Sequence, residues 1–255
     1  LYRIAAVLLV SLFAGYFLYT QTQFESKQIQ KQEQLVTMQE LITGVGDKAE
    51  VTFSDGSRVI LNASSKIEFP RKFQSQKREV FLAGEAYFEV KHDPERPFLV
   101  HNKNVEVEVL GTKFNVRGWD EDPGVEVVVQ TGKVAVKAFD KLINDQRKAI
   151  LTDGNYTKVK SGNNPLSVQK VDVRNYLVWM SGGLFFDNEP LKHVIKDIER
   201  RFDVNIKIAN EEYMDIPFTS TFHEADLDEV LSIISSTMKL NYERNGKDIE
   251  FYKSD

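Results

Sequence analysis

Apolar and polar residues alternate between residue 46 and about residue 160, and this period of two limits the fold more than any other feature of the sequence. Short alternating runs such as Ala86–Val90 and Val105–Val109 recur, whereas no stretch there keeps a helical period over three turns. A period of two is typical of β-strands that place one face on a core. The sequence therefore predicts a mainly β domain over residues 46–160.

Glycines at fairly regular intervals separate these strands. They are Gly56, Gly84, Gly111, Gly132 and Gly154, spaced by 28, 27, 21 and 22 residues. Such spacing favours a short β-solenoid or a rolled β-meander, in which no unit buries its apolar edge without its neighbours. Hairpins of an ordinary β-sandwich would also place glycine in turns. We favour the solenoid-like arrangement, and the other two stay open.

The amino-acid composition argues against several kinds of functional site. The 255 residues include no cysteine, which excludes disulfides, thiolate nucleophiles and cysteine-based metal centres. None of the four histidines has a second histidine at the i, i+4 spacing of a helical metal motif. With 33 basic and 38 acidic residues the net charge is −5, which argues against a nucleic-acid partner. We expect no metal, no cofactor and no conventional enzyme activity.

An uncharged run of sixteen residues extends from Ile4 to Tyr19. As a helix it would be roughly 24 Å long, close to the length that crosses a bilayer, and we predict a single transmembrane helix over residues 1–20. Because the chain opens on leucine, we expect further apolar residues upstream. Arg3 precedes the run and no charge follows until Glu25, so the positive-inside rule anchors the protein in the inner membrane with its C-terminal part in the periplasm. A signal peptide or a buried core helix is the alternative.

Two further segments separate the predicted domains. Residues 21–45 are polar and rich in glutamine, with only a broken apolar stripe, and we predict a juxtamembrane helical stalk with a disordered tether as the alternative. Residues 161–182 begin with a run of glycine, asparagine and proline. We predict that they form a linker.

Residues 183–255 repeat one pattern twice. At an offset of 36 residues, seven apolar positions of the first copy align with seven of the second. The pairs are Phe186 with Phe222, Leu191 with Leu227, Val194 with Val230, Ile195 with Leu231, Ile198 with Ile234, Phe202 with Met238, and Val204 with Leu240. In each copy a strand leads into an amphipathic helix and a second strand follows. The sequence predicts a small α+β domain built from a duplicated βαβ unit.

Five segments of the predicted β-domain have a distinctive sequence, and they are Val51–Lys66, Arg78–Val90, Pro97–Val100, Val109–Val116 and Val129–Val134. In this order they resemble the FecR family of transmembrane anti-sigma factors. Residues 183–252 resemble the domain that closes many of these proteins, which is itself similar to the short signalling domain at the N-terminus of secretins and TonB-dependent receptors. The family's cytoplasmic sigma-binding domain would precede the membrane segment, and we expect sigma binding to lie outside these residues.

This resemblance implies a signalling role. The signalling domain of a TonB-dependent outer-membrane transporter would bind the periplasmic part, and the cytoplasmic region would then act on an extracytoplasmic-function sigma factor. Residues 181–255 contain 9 basic and 16 acidic residues, and such an acidic surface can steer a complementary partner. Open edge strands offer docking by strand addition. We expect the partner to bind on residues 183–255. The alternatives are a membrane-anchored periplasmic glycan- or polymer-binding module and a secretin-like assembly module.

One covalent reaction follows from the same resemblance. Some family members cleave themselves between glycine and threonine in the motif that here reads Leu110–Phe114. The hydroxyl of Thr112 would attack the carbonyl carbon of Gly111, the amide would shift to an ester, and water would open the ester. The alternative is that Gly111 only turns the chain and Thr112 is an ordinary strand residue, since the sequence identifies no base.

Three other patterns have structural explanations. Residues 44–49 match the glycine spacing of a dinucleotide-binding loop but precede a strand. His92 and Asp93 imitate an acid–base pair, but Pro94 and Pro97 predict a turn there. We predict Trp179 as a core residue rather than a platform for a ligand.

Overall fold

The strands predicted from the alternating pattern form one curled sheet. The computed structural model describes residues 14–21, 37–140, 145–160 and 165–253, and within these residues the sheet has thirteen strands. They are β1 (Met38–Ile42), β2 (Ala49–Thr52), β3 (Arg58–Leu61), β4 (Lys66–Pro70), β5 (Arg78–Glu89), β6 (Phe98–Asn102), β7 (Val105–Val109), β8 (Lys113–Gly118), β9 (Gly124–Thr131), β10 (Lys133–Asp140), β11 (Asp145–Thr152), β12 (Asn155–Lys160) and β13 (Gln169–Lys170). We call this unit the β-domain.

The long strand β5 belongs to both halves of the curl. Its first part pairs with β4 and β6, and its second part, from Gly84 onward, pairs with β3 and β8. Strands β1, β4, β6, β7, β10 and β11 form the A half with the start of β5, while β2, β3, β8, β9, β12 and β13 form the B half with its end. Gly84 has φ +104°, and a Cβ there would lie 2.3 Å from Oγ of Ser65. Only glycine fits this bend.

The other regularly spaced glycines mark corners where the chain passes between the halves. Gly111 lies between β7 and β8, Gly132 between β9 and β10, and Gly154 between β11 and β12, whereas Gly56 lies in the β2–β3 hairpin. Neighbouring strands pair antiparallel except β5 with β6. The sheet is therefore rolled, and the favoured solenoid-like arrangement, which would stack parallel rungs, is wrong.

The predicted alternation sets the faces of the sheet. In β7, Val105, Val107 and Val109 are buried in the core of the β-domain. The residues between them, Glu106 and Glu108, point outward and both accept hydrogen bonds from Nζ of Lys137 on β10. The core therefore lies inside the curl.

The C-terminal domain, residues 183–253, contains the predicted repeat of strand, helix and strand. Its elements are β14 (Leu184–Pro190), α2 (Leu191–Phe202), β15 (Asn205–Ile208), β16 (Pro217–Phe222), α3 (Leu227–Met238), β17 (Leu240–Asn245) and β18 (Asp248–Lys253), and the short helix α1 (Val173–Tyr176) precedes them. All fourteen aligned apolar residues belong to one core or pack against it. The duplication is confirmed at the level of packing.

The strand pairing within this domain differs from the prediction. The first strands of the two copies, β14 and β16, pair antiparallel with each other. The second strands, β15 and β17, both pair with β18. Each sheet collects equivalent strands of both copies, so the two strands of one copy lie in different sheets. A βαβ unit with both strands side by side is therefore wrong.

Two predicted boundaries also change. Residues 38–42, assigned to the stalk, form β1 and pair with β4, so the β-domain begins earlier than residue 46. The segment predicted as a linker contains β13, α1 and a short 3₁₀ helix, Val178–Ser181. Leu177 and Trp179 pack against Tyr87 of β5, which makes this segment a packed joint and confirms Trp179 as a buried residue.

The membrane prediction falls mainly on residues outside the described part of the chain. Residues 14–21 are helical, whereas residues 4–13 and the stalk residues 22–36 lie outside the described ranges. No helix within those ranges is both long enough and apolar enough to cross a bilayer.

Candidate functional site

A cleft of about 810 Å³ separates the β-domain from the C-terminal domain. Glu85 and Arg117 line it from the β-domain, Trp179 from the joint, and Phe185 and Asp197 from the C-terminal domain. Its size lies in the range of ligand-binding clefts. The groups along its walls also hold the two domains together.

Five charged side chains pair with one another where the two domains meet. Nη2 of Arg117 on β8 donates to both carboxylate oxygens of Asp197 on α2, at 2.8 and 3.0 Å. Arg200, one turn further along α2, pairs with Asp197. Asp122, in the loop between β8 and β9, lies 3.6 Å from Nε of Arg117 and 3.9 Å from Nη2 of Arg200. Glu121 of the same loop also pairs with Arg200, so two cations and three anions meet at the domain boundary.

Trp119 contacts both guanidinium groups. Its ring centroid is 3.9 Å from Cζ of Arg200 and 5.1 Å from Cζ of Arg117. Its indole Nε1 donates to the carbonyl of Ser64 at 2.8 Å. A guanidinium over a tryptophan face gains about 0.5 to 2 kcal/mol, more when it is desolvated. The group that we call the latch consists of Arg117, Trp119, Glu121, Asp122, Asp197 and Arg200.

The ionisation of the latch follows from its burial and pairing. Burial opposes the charge of Asp197, but Arg117 and Arg200 together hold its pKa below the ordinary value. Burial raises the pKa of Asp122, and Arg117 only partly offsets this effect. Burial likewise disfavours the charge of Arg117, yet its acidic neighbours keep the pKa well above the ordinary value. The cluster is stable only as a set, because each charge depends on its neighbours.

A buried carboxyl group lies beside the latch. Glu85 accepts hydrogen bonds from Nδ2 of Asn62 at 2.7 Å and Nδ2 of Asn115 at 2.8 Å. Asn115 in turn accepts a bond from Nε1 of Trp179 at 3.3 Å. Burial raises the pKa of Glu85 to about 7, and the pull of Arg117 and the two amide bonds offsets only part of that increase. This carboxyl group therefore changes charge near neutral pH.

A row of aromatic rings forms another contact between the domains. Tyr176 of the joint lies 4.8 Å from Tyr156 of β12 and 5.1 Å from Phe185 of β14, measured between ring centroids. Nearby, Nζ of Lys158 lies 2.7 Å from Glu126 of the β-domain and 3.3 Å from Glu189 of the C-terminal domain. The aromatic row and the ion pairs of Lys158 thus join the domains at a second place, in addition to the latch.

The turn after β1 also reaches the C-terminal domain. The amide of Gly46 donates to the carbonyl of Arg200 at 2.8 Å, near the C-terminal end of α2. Lys48 donates through Nζ to the carbonyls of Trp179 and Met180, at 2.8 and 3.0 Å. The glycine pattern over residues 44–49 is thus a turn before a strand, as predicted, with a role in joining the domains.

Gly111 and Thr112 lie at the corner between β7 and β8, where the chain passes from one half of the sheet to the other. Thr112 is buried, and its hydroxyl donates to the carbonyl of Lys133 at 2.9 Å. A Cβ on Gly111 would lie 2.6 to 2.7 Å from atoms of His92, so glycine is required there by close approach. His92 precedes the predicted turn at Pro94 and Glu95. The fold therefore brings an imidazole beside the peptide bond for which the sequence identified no base.

The surface of residues 183–253 carries the predicted acidic character. Glu243 on β17 lies directly opposite Glu250 on β18, and Asp248 is exposed on the same strand. In the three-stranded sheet, β15 and β17 each pair on one side only within the described residues. The domain thus presents strand edges and one unfavourable like-charge pair, which a basic partner would relieve.

Comparison with known proteins identifies the family. The FecR protein model matches residues 39–135, and the model of the FecR C-terminal region matches residues 183–251. Two crystal structures of a protein from Parabacteroides distasonis ATCC 8503, provisionally described as an anti-sigma factor, are also similar to this chain. The first gives a TM-score of 0.79 at 30% identity, covering 86% of this chain and 100% of that chain. The second gives 0.77 at 30% identity, covering 85% and 100%.

A comparison with curated proteins gives no significant match. The two family models cover more than half of the chain, and the solved structures span most of it. The fold and its two domains are therefore those of an anti-sigma regulator, and the chain belongs to the FecR family. The family prediction made from the strand motifs is confirmed.

Sequence reasoning missed the latch. Its residues come from segments about 80 positions apart, and no local period connects them. One signal was present in α2, where Asp197 adjoins Ile198 and is buried with it. A buried carboxylate on an otherwise apolar helix face predicts a basic partner elsewhere.

Proposed function

We propose that this chain is the sensory part of an inner-membrane anti-sigma factor. Its C-terminal domain receives the signalling domain of a TonB-dependent outer-membrane transporter in the periplasm, and a cytoplasmic region then acts on an extracytoplasmic-function sigma factor. FecR membership and the likeness to an anti-sigma factor support the regulatory role. The uncharged run Ile4–Tyr19 with Arg3 before it supports the anchored topology.

One observation carries the choice of receiver. The C-terminal domain has its own core of buried residues, distinct from that of the β-domain. It contacts the β-domain through α2, β14 and the joint, whereas the edges β15 and β17 stay unpaired on one side among the described strands. A domain held on one side with open edges on another suits docking by strand addition.

The proposal is tested in cells that carry the complete natural protein and a reporter for its sigma factor. A chain ending at residue 180 should lose the response to the transporter's ligand. Because truncation also removes the latch contacts, the point variant Phe251→Asp, in the core of the C-terminal domain, serves as a second test. Full response from either variant, with the protein present at normal levels, would show that this domain is not the receiver.

A second proposal concerns the peptide bond between Gly111 and Thr112. Oγ1 of Thr112 attacks the carbonyl carbon of Gly111, the new C–O bond forms as the C–N bond breaks, and the hydroxyl proton ends on the freed amine. Water then hydrolyses the ester, leaving a carboxylate on Gly111 and a hydroxyl on Thr112. The close approach of His92 to Gly111 supports the proposal, because it brings an imidazole, a possible general base, next to the residue whose carbonyl carbon is attacked.

Mass spectrometry of the purified protein tests this reaction. The wild-type chain should yield a fragment ending at Gly111, Thr112→Ser should also yield it, and Thr112→Ala should not. His92→Ala should slow the cleavage. An intact wild-type chain, or equal cleavage of the alanine variant, would refute the proposal without affecting the signalling role.

A further inference from the structure

Arg200 joins the two domains through both its side chain and its backbone. Its guanidinium stacks on Trp119 and pairs with Glu121 of the β8–β9 loop. Its backbone carbonyl accepts the amide of Gly46, which belongs to the turn after β1. One residue of α2 therefore connects the β8–β9 loop with residues 43–48.

The composition of the latch makes it easier to open than an apolar interface of the same area. The cores of the two domains are separate clusters, and the latch between them consists of paired charges around Trp119. Ions that separate regain hydration, so opening such a latch costs less than exposing an equal apolar area. The buried carboxyl of Glu85, beside Arg117, adds a charge that depends on its surroundings.

The turn at residues 43–48 is well placed to transmit a movement. It follows directly after β1, which is an edge strand that pairs only with β4 among the described strands. Thr43 fixes the start of the turn through its amide, which donates to the carbonyl of Ser65 at 2.9 Å. An edge strand has few contacts that resist displacement, so a change at Gly46 can pass to β1.

We propose that the latch couples the position of the C-terminal domain to the turn at residues 43–48 and hence to β1, the first described strand after the predicted membrane segment. A partner that moves α2 opens the latch, removes the Gly46–Arg200 bond and releases the turn. This inference deepens the proposed function, because it supplies the route by which a signal received by the C-terminal domain reaches the membrane-proximal side. The coupling between the latch and the turn can be measured in the purified chain, without a partner.

Both tryptophans of the chain report on this region. The sequence has two, Trp119 in the latch and Trp179 in the joint beside Lys48. The variant Trp179→Phe leaves Trp119 as the single tryptophan, which can be excited selectively over the tyrosines. Its emission maximum and its quenching by acrylamide then measure the state of the latch, and hydrogen exchange followed by mass spectrometry measures residues 43–48 separately.

The test compares Asp197→Ala with Asp228→Ala in the purified chain. Asp197 holds the latch, whereas Asp228 forms an exposed pair with Arg244 in the same domain. Asp197→Ala should increase quenching of Trp119 and accelerate exchange at residues 43–48 by roughly tenfold or more, with the strands β6 and β7 unchanged. Asp228→Ala should change neither signal.

A variant in the β-domain distinguishes loss of the coupling from unfolding of the C-terminal domain. Trp119→Leu removes the stack from the β-domain and leaves every residue of α2 intact. It should also accelerate exchange at residues 43–48, while the core of the C-terminal domain stays protected. Unchanged exchange at residues 43–48 in both variants would overturn the proposal, whether or not a transporter binds the domain.

Discussion

Arg117 and Asp197 form an ion pair across 80 positions of sequence, with Nη2 of Arg117 at 2.8 and 3.0 Å from the two carboxylate oxygens. The pair joins β8 of the β-domain to α2 of the C-terminal domain. The side chain of Asp197 is 7% exposed and that of Arg117 is 20% exposed. Because both charges have lost most of their water, removing one leaves the other uncompensated.

The first prediction is that Arg117→Leu lowers the free energy of unfolding by about 3 to 5 kcal/mol. Denaturant unfolding followed by circular dichroism measures this loss. The double variant Arg117→Leu, Asp197→Leu should lose less than the sum of the two single variants, because it removes both charges of the pair. Arg244→Leu, which breaks an exposed pair with Asp228, should cost less than about 1 kcal/mol. Additive losses would contradict the coupling.

The second prediction concerns pH. The pKa of Glu85 is about 7 in the folded chain and 4.5 ordinarily, so between these values the folded state holds a proton that the unfolded state has lost. Stability therefore falls as pH rises through this window, by up to roughly 1.4 kcal/mol per pH unit from this group. Below 4.5 and above 7 the contribution is constant.

The variant Glu85→Gln, which cannot ionise, isolates this effect. Its stability should depend less steeply on pH between 5 and 7 than that of the wild type, as measured by denaturant midpoints at several pH values. Glu250→Gln, an exposed change on β18, is the matched control and should leave the slope unchanged. An equal slope in the wild type and Glu85→Gln would show that Glu85 does not titrate in this range.

The third prediction tests the bend in β5. Gly84→Ala adds a Cβ that would lie 2.3 Å from Oγ and 2.9 Å from Cα of Ser65, in a backbone conformation with φ +104°. We expect a loss of at least about 2 to 3 kcal/mol in the free energy of unfolding. Gly246→Ala also has positive φ, at +63°, but meets nothing within 4 Å. If both variants lost the same free energy of unfolding, the positive φ would explain the whole effect and the contact with Ser65 would contribute nothing.

The fourth prediction concerns the duplicated core. Ile198 is 0% exposed and Ile234 is 1% exposed, at equivalent positions of α2 and α3. Ile198→Asp or Ile234→Asp buries an unpaired carboxylate and should unfold the C-terminal domain, which limited proteolysis would detect as cleavage within residues 183–253. Ile216→Asp makes the same chemical change at an exposed site and should resist cleavage like the wild type. A protected Ile198→Asp chain would contradict the shared core.

Part of this fold follows from the sequence. The period of two predicts which residues of β7 are buried, because alternate side chains of a strand must face opposite sides of the sheet. The repeat at 36 residues predicts the core of the C-terminal domain, because equivalent helix positions bury the same face. Both patterns are local, and local periods are what a single sequence records.

The rest depends on contacts that no local pattern contains. Gly84 and Gly56 look alike in sequence, yet one bends a strand against Ser65 and the other closes a hairpin. The pairing of β14 with β16 depends on how two copies meet in space. The partnership of Arg117 with Asp197 likewise exists only after both domains have folded. These features required the three-dimensional structure.

The central claim is that the C-terminal domain receives the transporter, and one binding measurement tests it most directly. The complete chain, purified in detergent, is titrated by calorimetry with the periplasmic signalling domain of a TonB-dependent transporter from the same cell. We predict saturable 1:1 binding to the wild type and to Ile216→Asp, and no binding to Ile198→Asp. Undiminished binding to Ile198→Asp, or no binding to the wild type, would contradict the claim.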